Sequence, residues 1–396
     1  MKKNFFLGFI ALAALTVSSC SNDADLTLKT PDNAIEFGTY VGRDAQTRAN
    51  VISADNLAEQ GFGVFAYYTD DADFSSSAKP NFMFNQKVTG KASGVEQSGS
   101  GSTSWSTGWE YSPLKYWPNE ETDKLSFFAY APHKPSGDGD DNFDLFDNTV
   151  AGDPIITFKV NSNVTAQEDF LYAAPVLNKC KANGGVGVND QVEFKFKHAL
   201  ARIGFNIETI VDEVSDNPTG TEDDKINNNG TTLDASTTVY VDKVELIGSF
   251  FNNGKFNLNT GIWDEKNYTV GSTTYTLETA NFKSALVTTT KQPLNADNSY
   301  IMIIPKYFDN TSAENKLCIR TTYRVLTGDP ALEGGQSEVT NVITSDAFGL
   351  NFEMGKAYTF SLQLGLTSVK LTATITDWET GYDIAVNVPI NTTTTP

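Results

Sequence analysis

The chain holds two histidines, His133 and His198, and three cysteines, Cys20, Cys180 and Cys318. Any catalytic or metal centre must be assembled from that short stock. A zinc site of several imidazoles is excluded by the count, and a Ser-His-Asp triad would have to use one of the two histidines. His198 lies in FKFKHALARIGF between two strand-like runs, where a packed ring bonded to backbone is a plainer reading than a general base. The motifs H-E-x-x-H, G-x-S-x-G, G-x-x-x-x-G-K-[ST] and G-x-G-x-x-G do not occur. Acid clusters do occur, at Asp70/Asp71/Asp73, Asp138/Asp140/Asp141/Asp144 and Glu222/Asp223/Asp224. Two carboxylates can hydrolyse glycosides only at a set separation, and the Asp138 group departs from the spacing of an EF-hand calcium loop. The expectation is a protein that is not an enzyme, with no cofactor and no metal. The aromatic group Trp105, Trp109, Tyr111, Tyr116 and Trp117 has two readings, core filler or a platform on which sugar rings stack, with Trp105 and Trp109 as the candidate glycan contacts.

One covalent chemistry is signalled strongly. Residues 1–20 begin with Lys2 and Lys3, continue through an apolar run from Phe5 to Val17 too short to span a bilayer, and end in Val17-Ser18-Ser19-Cys20. Small residues before a cysteine resemble the bacterial lipobox, with Val17 where Leu is usual, so Cys20 is the expected lipidation site. The alternative is a plain secretory signal with a chance cysteine. The acidic segment after Cys20, SNDAD, points to the outer surface, with membrane contact only through the lipid of the precursor. Cys318, in KLCIRTTY, reads as a small buried hydrophobe, and no disulfide to Cys180 is expected. A net charge of −20 argues against nucleic acid.

The elements that position these residues are strands. The 396 residues are 39% hydrophobic and 12% aromatic, enough for two cores. Ordered stretches alternate apolar and polar with period two between Gly, Asn, Asp and Pro punctuation. Strands are predicted at 63–68, 125–130, 154–160, 191–197, 201–207, 238–248, 299–304, 317–325, 357–364 and 368–377. Short helices are predicted at 54–59 and 166–172, the second with Thr165 as N-cap. Loops are predicted at 93–108, 136–144 and 212–238. The fold class is all-β, with Greek-key sandwiches: a signal at 1–20, a propeptide at 21–48, an N-terminal sandwich at 49–190 and a C-terminal one at 191–396.

The two ends of the processed chain carry one apolar code. NAIEFGTYVG places Ile35, Phe37, Thr39 and Val41 on one face of a strand at 34–42. YDIAVNVPI places Ile384, Val386, Val388 and Ile390 on one face of a strand at 382–390. Arg43 and Arg48 follow the first strand, and Arg48 stands in the turn-like QTRAN, a natural protease target. Removal of that strand would strip about four apolar side chains from a groove, of order 6–12 kcal/mol gross, and a strand from another subunit could replace it. Pro389 cannot donate to a ladder, so an inserted tail would end near Val388.

The lipoprotein signal, AIEFGTYVGR with TRAN, WEYSPLKYWP with KLSFFAYAP, TAQEDFLYA, VEFKFKHALARIGFNI, and GKAYTFSLQL before LTATITDW occur in an order that resembles the fimbrillin-like proteins, lipoprotein-derived pilins of type V pili. They cover most of residues 30–380. The resemblance implies two tandem transthyretin-like sandwiches, a fimbrium at the cell surface and outer membrane, and polymerisation by donor-strand exchange. It makes Cys20 the acylated residue and Arg48 the site of an Arg-specific protease, with Arg43 as the alternative. Ile35, Phe37 and Val41 would be the displaced strand, and Ile384, Val386 and Val388 the donated one. Trp117, His198 and Trp378 would be scaffold. The implied partners are other pilin subunits and a host surface receptor or glycan. The alternative function is a monomeric surface lipoprotein that binds glycans through exposed aromatics.

Overall fold

The computed structural model describes residues 33–41, 51–92, 105–135, 142–180, 191–209, 236–278, 286–287, 290–294, 300–312, 315–365, 369–378, 383–384 and 392–393. In chain order the strands are β1 (Glu36–Val41), β2 (Phe62–Tyr68), β3 (Met83–Ala92), β4 (Trp105–Glu110), β5 (Leu125–Ala131), β6 (Phe143–Leu145), β7 (Ile155–Lys159), β8 (Leu171–Ala173), β9 (Val176–Lys179) and β10 (Gln191–His198). They continue as β11 (Ala201–Thr209), β12 (Thr237–Asn257), β13 (Ile262–Glu278), β14 (Leu286–Val287), β15 (Gln292–Pro293), β16 (Ile301–Ile303) and β17 (Lys306–Phe308). The last are β18 (Leu317–Gly328), β19 (Gln336–Ser345), β20 (Leu350–Phe352), β21 (Lys356–Leu364), β22 (Val369–Asp377), β23 (Asp383–Ile384) and β24 (Thr392–Thr393). The fold is all-β.

The first sheet runs β1-β10-β8-β5-β2-β3-β4, with β9 also on β5. Its centre is apolar on both faces because each face has a core of its own. Every residue of β5, LSFFAYA, is buried. Leu125, Phe127 and Ala129 enter one core with Phe62, Val64, Val192, Phe194 and Phe196. Phe128 and Tyr130 enter the other with Phe65, Tyr67, Phe158 and Phe170. The continuous apolar run therefore marks a strand covered on two sides. At β10, by contrast, QVEFKFKH alternates strictly between exposed and buried, since its outer face meets solvent.

The remaining sheets are ordered β15-β11-β21-β22-β23, with β16 on β11, and β24-β19-β18-β12-β7-β6, with β13 and β14 on β12; β17 and β20 form a ribbon. Two strands cross the division expected at residue 190. β10 pairs with β1 and β8, so its apolar face belongs to the first sheet, and the chain changes sheet at Ala199–Leu200. β7 pairs with the end of β12, Asn253–Asn257, so part of the N-terminal half completes a C-terminal sheet. β12 was expected to stop at Gly248 and runs on to Asn257. Gly248 is a close-packing position: an added Cβ would meet the Phe250 and Phe308 rings and Lys316 O at 3.1–3.2 Å.

The helix α1 (Ala54–Gln60) forms as expected, with Ser53 and Asn56 in a capping box and Gly61 at φ 73° closing it. The helix expected at 166–172 does not form. Asn163 caps a single 3-10 turn at Val164–Ala166, and β8 follows, because Gln167, Asp169, Phe170 and Leu171 are all buried and a one-sided helix would expose some of them. β4 and β6 occupy the ends of two expected loops.

Across β12 and β18, Glu245 accepts from Arg320 Nε at 2.6 Å and Nη2 at 2.7 Å, and Lys243 Nζ lies 3.4 Å away. The Arg320 hydrogen bonds, aided by Lys243, hold the Glu245 carboxyl below its ordinary range despite the cost of burial. A depressed carboxyl contributes stability above its unfolded value that is lost as pH falls through the folded one. Glu245→Gln should lower unfolding stability by about 1–2 kcal/mol at pH 7, a reduced figure because Arg320 keeps partial contact with water. In denaturant titrations the difference from wild type should shrink below about pH 4; a difference independent of pH would contradict this account.

Candidate functional site

The strand β1 lies at the edge of the first sheet, parallel to β10, in register from Glu36↔Gln191 to Val41↔Phe196. Alternation turns Ile35 and Phe37 inward, and they are 1% and 3% exposed, while Tyr40 on the other face is 55% exposed. Thr39 is half-buried, and Val41 is partly buried against the same core. The expected face is therefore present, with two of its four side chains fully enclosed.

Phe37 sits among four rings. Its centroid is 5.7 Å from Phe194 in a stack, 5.2 Å from Tyr111, 6.2 Å from Phe62 and 6.3 Å from Phe127. The segment after β4 closes over the start of β1. Ile35 N–H donates to Lys115 O at 2.9 Å and Trp117 N–H to Asn33 O at 3.1 Å. The Tyr111 hydroxyl donates to Ile35 O at 2.8 Å. Burial pushes the Tyr111 phenol up to about 12, against the lowering effect of its hydrogen bond to the Lys115 backbone, so it remains a donor at ordinary pH. Gly38 fits under the Glu193 carboxylate opposite it, whose Oε1 would lie 2.1 Å from an added Cβ.

On the C-terminal side of residues 42–50 the chain is pinned again. Val51 and Ile52 are buried, and Ile52 N–H donates to Asp169 Oδ2 at 2.9 Å. Asp169 also accepts from Phe170 N–H at 2.8 Å and faces His198 Nδ1 at 2.9 Å, with the ring N–H off the angle of a hydrogen bond. The His198 ring stacks on Trp378 at 3.8 Å and 4°, and Arg202 lies over Trp378 at 5.1 Å. Two residues upstream, Gln167 exchanges hydrogen bonds with Met302, Nε2 to O at 3.1 Å and N to Oε1 at 2.7 Å. Thus TAQEDFLYA ties β10, the chain after residue 50 and β16 to one point. Sequence reasoning assigned Gln167 and Asp169 no role. The available signal was slight, a polar Gln167-Glu168-Asp169 stretch set directly against the apolar Phe170-Leu171.

A model of the family described as Fimbrillin-like matches residues 47–378. The chain belongs to the Fimbrillin-like family. It is 26% identical over 408 residues to fimbrium subunit Fim1C of Phocaeicola vulgatus, covering 96% of this chain and 98% of that one. A crystal structure of a fimbrial protein from Bacteroides vulgatus has the same fold, with a TM-score of 0.62, 21% identity, and coverage of 87% of this chain and 99% of the other.

In this fimbrillin-like protein Cys20, Arg43, Arg48, Val386 and Val388 lie outside the described residues. Ile384 pairs through its backbone with Ile375 of β22. Trp105 begins β4. Trp109 is half-buried, and its ring makes a T-shaped contact with Phe62, centroids 5.0 Å apart. Trp117 is buried on Phe127, centroids 5.7 Å apart. Cys180 is buried, Cys318 is partly buried, and no disulfide joins them. Among the described residues no three His, Cys, Asp or Glu are grouped to hold a metal, and no helix is long and apolar enough to cross a membrane.

Because Phe37 is enclosed and Tyr40 is not, truncating them should separate cleanly. In the unprocessed protein Phe37→Ala should cost about 3–5 kcal/mol in urea unfolding, and Tyr40→Ala less than about 0.5 kcal/mol. Equal effects would mean that β1 is held by its backbone alone.

Proposed function

We propose that this protein is a structural fimbrial subunit that is exported as a lipoprotein through Cys20, cut after Arg48, with Arg43 as the alternative, and polymerised when the groove left by β1 takes a strand from another subunit. The observation that carries this reading is an edge strand with Ile35 and Phe37 enclosed and a single ladder to the body of the protein, on β10. Burial of those two side chains is worth about 3–6 kcal/mol gross, below the 6–12 expected for four. That is comparable with the whole stability of a typical domain, about 5–15 kcal/mol, so an emptied groove has strong reason to be refilled. Its exposed edge would be the backbone of β10, ready to accept a strand.

The pins on either side of residues 42–50 support the same reading. A cut there frees β1 while Ile52 keeps the body's new end attached to Asp169. The donor in this reading is the tail around Ile384, Val386 and Val388, and the partners are other subunits, the Arg-specific protease and a host surface receptor or glycan. The division into two sandwich halves is kept, with the change of sheet at 199–200 as the boundary. No catalytic step is part of the proposal.

Purified precursor treated with a trypsin-like protease should give a trimmed chain that begins at Ala49, together with ladders resistant to mild SDS. Arg48→Gln should abolish the Ala49 end. Ladders that persist in the Arg43→Gln/Arg48→Gln double variant would refute the processing step.

A further inference from the structure

The hole filled by Phe37 is made of Phe62, Tyr111, Phe127 and Phe194, and it holds the largest enclosed side chain of the strand. The tail of the chain alternates so that Tyr382, Ile384, Val386, Val388 and Ile390 share one side. Resting on the strand-exchange reading above, we propose that the vacated groove recognises the tail of a second copy through an aromatic anchor. Tyr382 takes the Phe37 hole, with Ile384 at the Thr39 place and Val386 at the Val41 place, the tail running in the direction of β1.

Three observations select this register over its neighbours at steps of two. First, with Ile384 at the Ile35 place the Phe37 hole receives Val386, and an isopropyl group leaves most of a ring's volume empty. That register also sets Pro389 at the Tyr40 place, inside the ladder, where proline has no N–H to give. Second, with Ile384 in the Phe37 hole, Pro389 is clear of the strand, but the ring hole is again left to an aliphatic chain and the Tyr382 phenol is forced into the fully enclosed Ile35 place. With Tyr382 in the Phe37 hole, Pro389 falls three positions beyond the end of β1, and the Ile35 place takes Thr380, smaller than a phenol. Third, the Tyr111 hydroxyl loses its shorter acceptor, Ile35 O at 2.8 Å, when the plug departs, and keeps Lys115 O at 3.3 Å. A tyrosine at the Phe37 place offers that hydroxyl a second polar partner again.

Among the described residues of the tail, β23 pairs with β22 at Ile375↔Ile384 and Thr376↔Asp383, and β24 pairs with β19 at Thr344↔Thr393 and Ser345↔Thr392. Donation to a second copy exchanges short edge pairings of this kind for a groove with an enclosed ring position.

Synthetic peptides test this directly, because neither residues 33–41 nor residues 379–391 contain Lys or Arg and both survive a trypsin-like protease. Full-length precursor is digested in the presence of fluorescent peptide 379–391, and retention with the protein is followed by gel filtration, with peptide 33–41 as the control for an open groove. The wild-type and Tyr382→Phe peptides should be retained, and the Tyr382→Val peptide should bind at least about tenfold more weakly. If peptide 33–41 binds and Tyr382→Val binds as well as wild type, the anchor is refuted while strand exchange stands. If peptide 33–41 is not retained, the groove does not reopen, and the strand-exchange reading falls together with the anchor.

Discussion

An edge strand cannot leave its inner side chains uncovered, and at β10 this constraint shapes the whole N-terminal half. Its strict alternation sends Val192, Phe194 and Phe196 into the core. On one side β8 completes the ladder; on the other only β1 does. Phe37 stacked on Phe194 therefore helps to close this core on the side that the other described strands do not cover. The same fact makes β1 stabilising while attached and consequential when absent.

Apart from β1, the two halves of the protein interlock. β12 reaches from β18 at one end to β7 at the other, so the C-terminal sheet carries strands from both halves. Gln167 reaches Met302, and Asp169 reaches Ile52 and His198. Gln167 and Asp169 are buried polar groups with hydrogen-bond partners supplied, which makes them specific as well as costly to disturb. The point at which they meet lies at the C-terminal end of β10, beyond the part that β1 covers.

Much of this was legible in residue order because period-two alternation is a local property. QVEFKFKH and LTATITDW announce strands without any knowledge of their neighbours, and NAIEFGTYV announces an inner face that Ile35 and Phe37 do fill. What was not legible depends on partners distant in the chain. Nothing local says that β10 joins a sheet begun at Glu36, or that β7 pairs with Asn253–Asn257. Gly248 looked like a strand end because a missing side chain has the same spelling in a turn and in a crowded sheet. TAQEDFLYA looked helical because its buried carboxylate and amide resemble surface residues until their acceptors and donors, more than a hundred residues away, are in place. The contact of Trp109 with Phe62 is likewise made with a residue far off in sequence.

The two cores of the first sheet differ in what they owe to β1. Ile35, Phe37 and Val41 touch only the core that contains Phe62, Phe127 and Phe194. The second core, on the opposite face through Phe65, Phe128 and Tyr130, is shared with β7, β12 and the C-terminal sheets and includes no residue of β1. Loss of β1 therefore opens one side of a sheet whose other side stays packed. Because β5 and β2 are common to both cores, the packed side continues to fix the positions of Phe62 and Phe127. In the proposed exchange, walls held from behind would keep an emptied groove in shape, and a groove of retained shape would discriminate among strands instead of collapsing around the first to arrive.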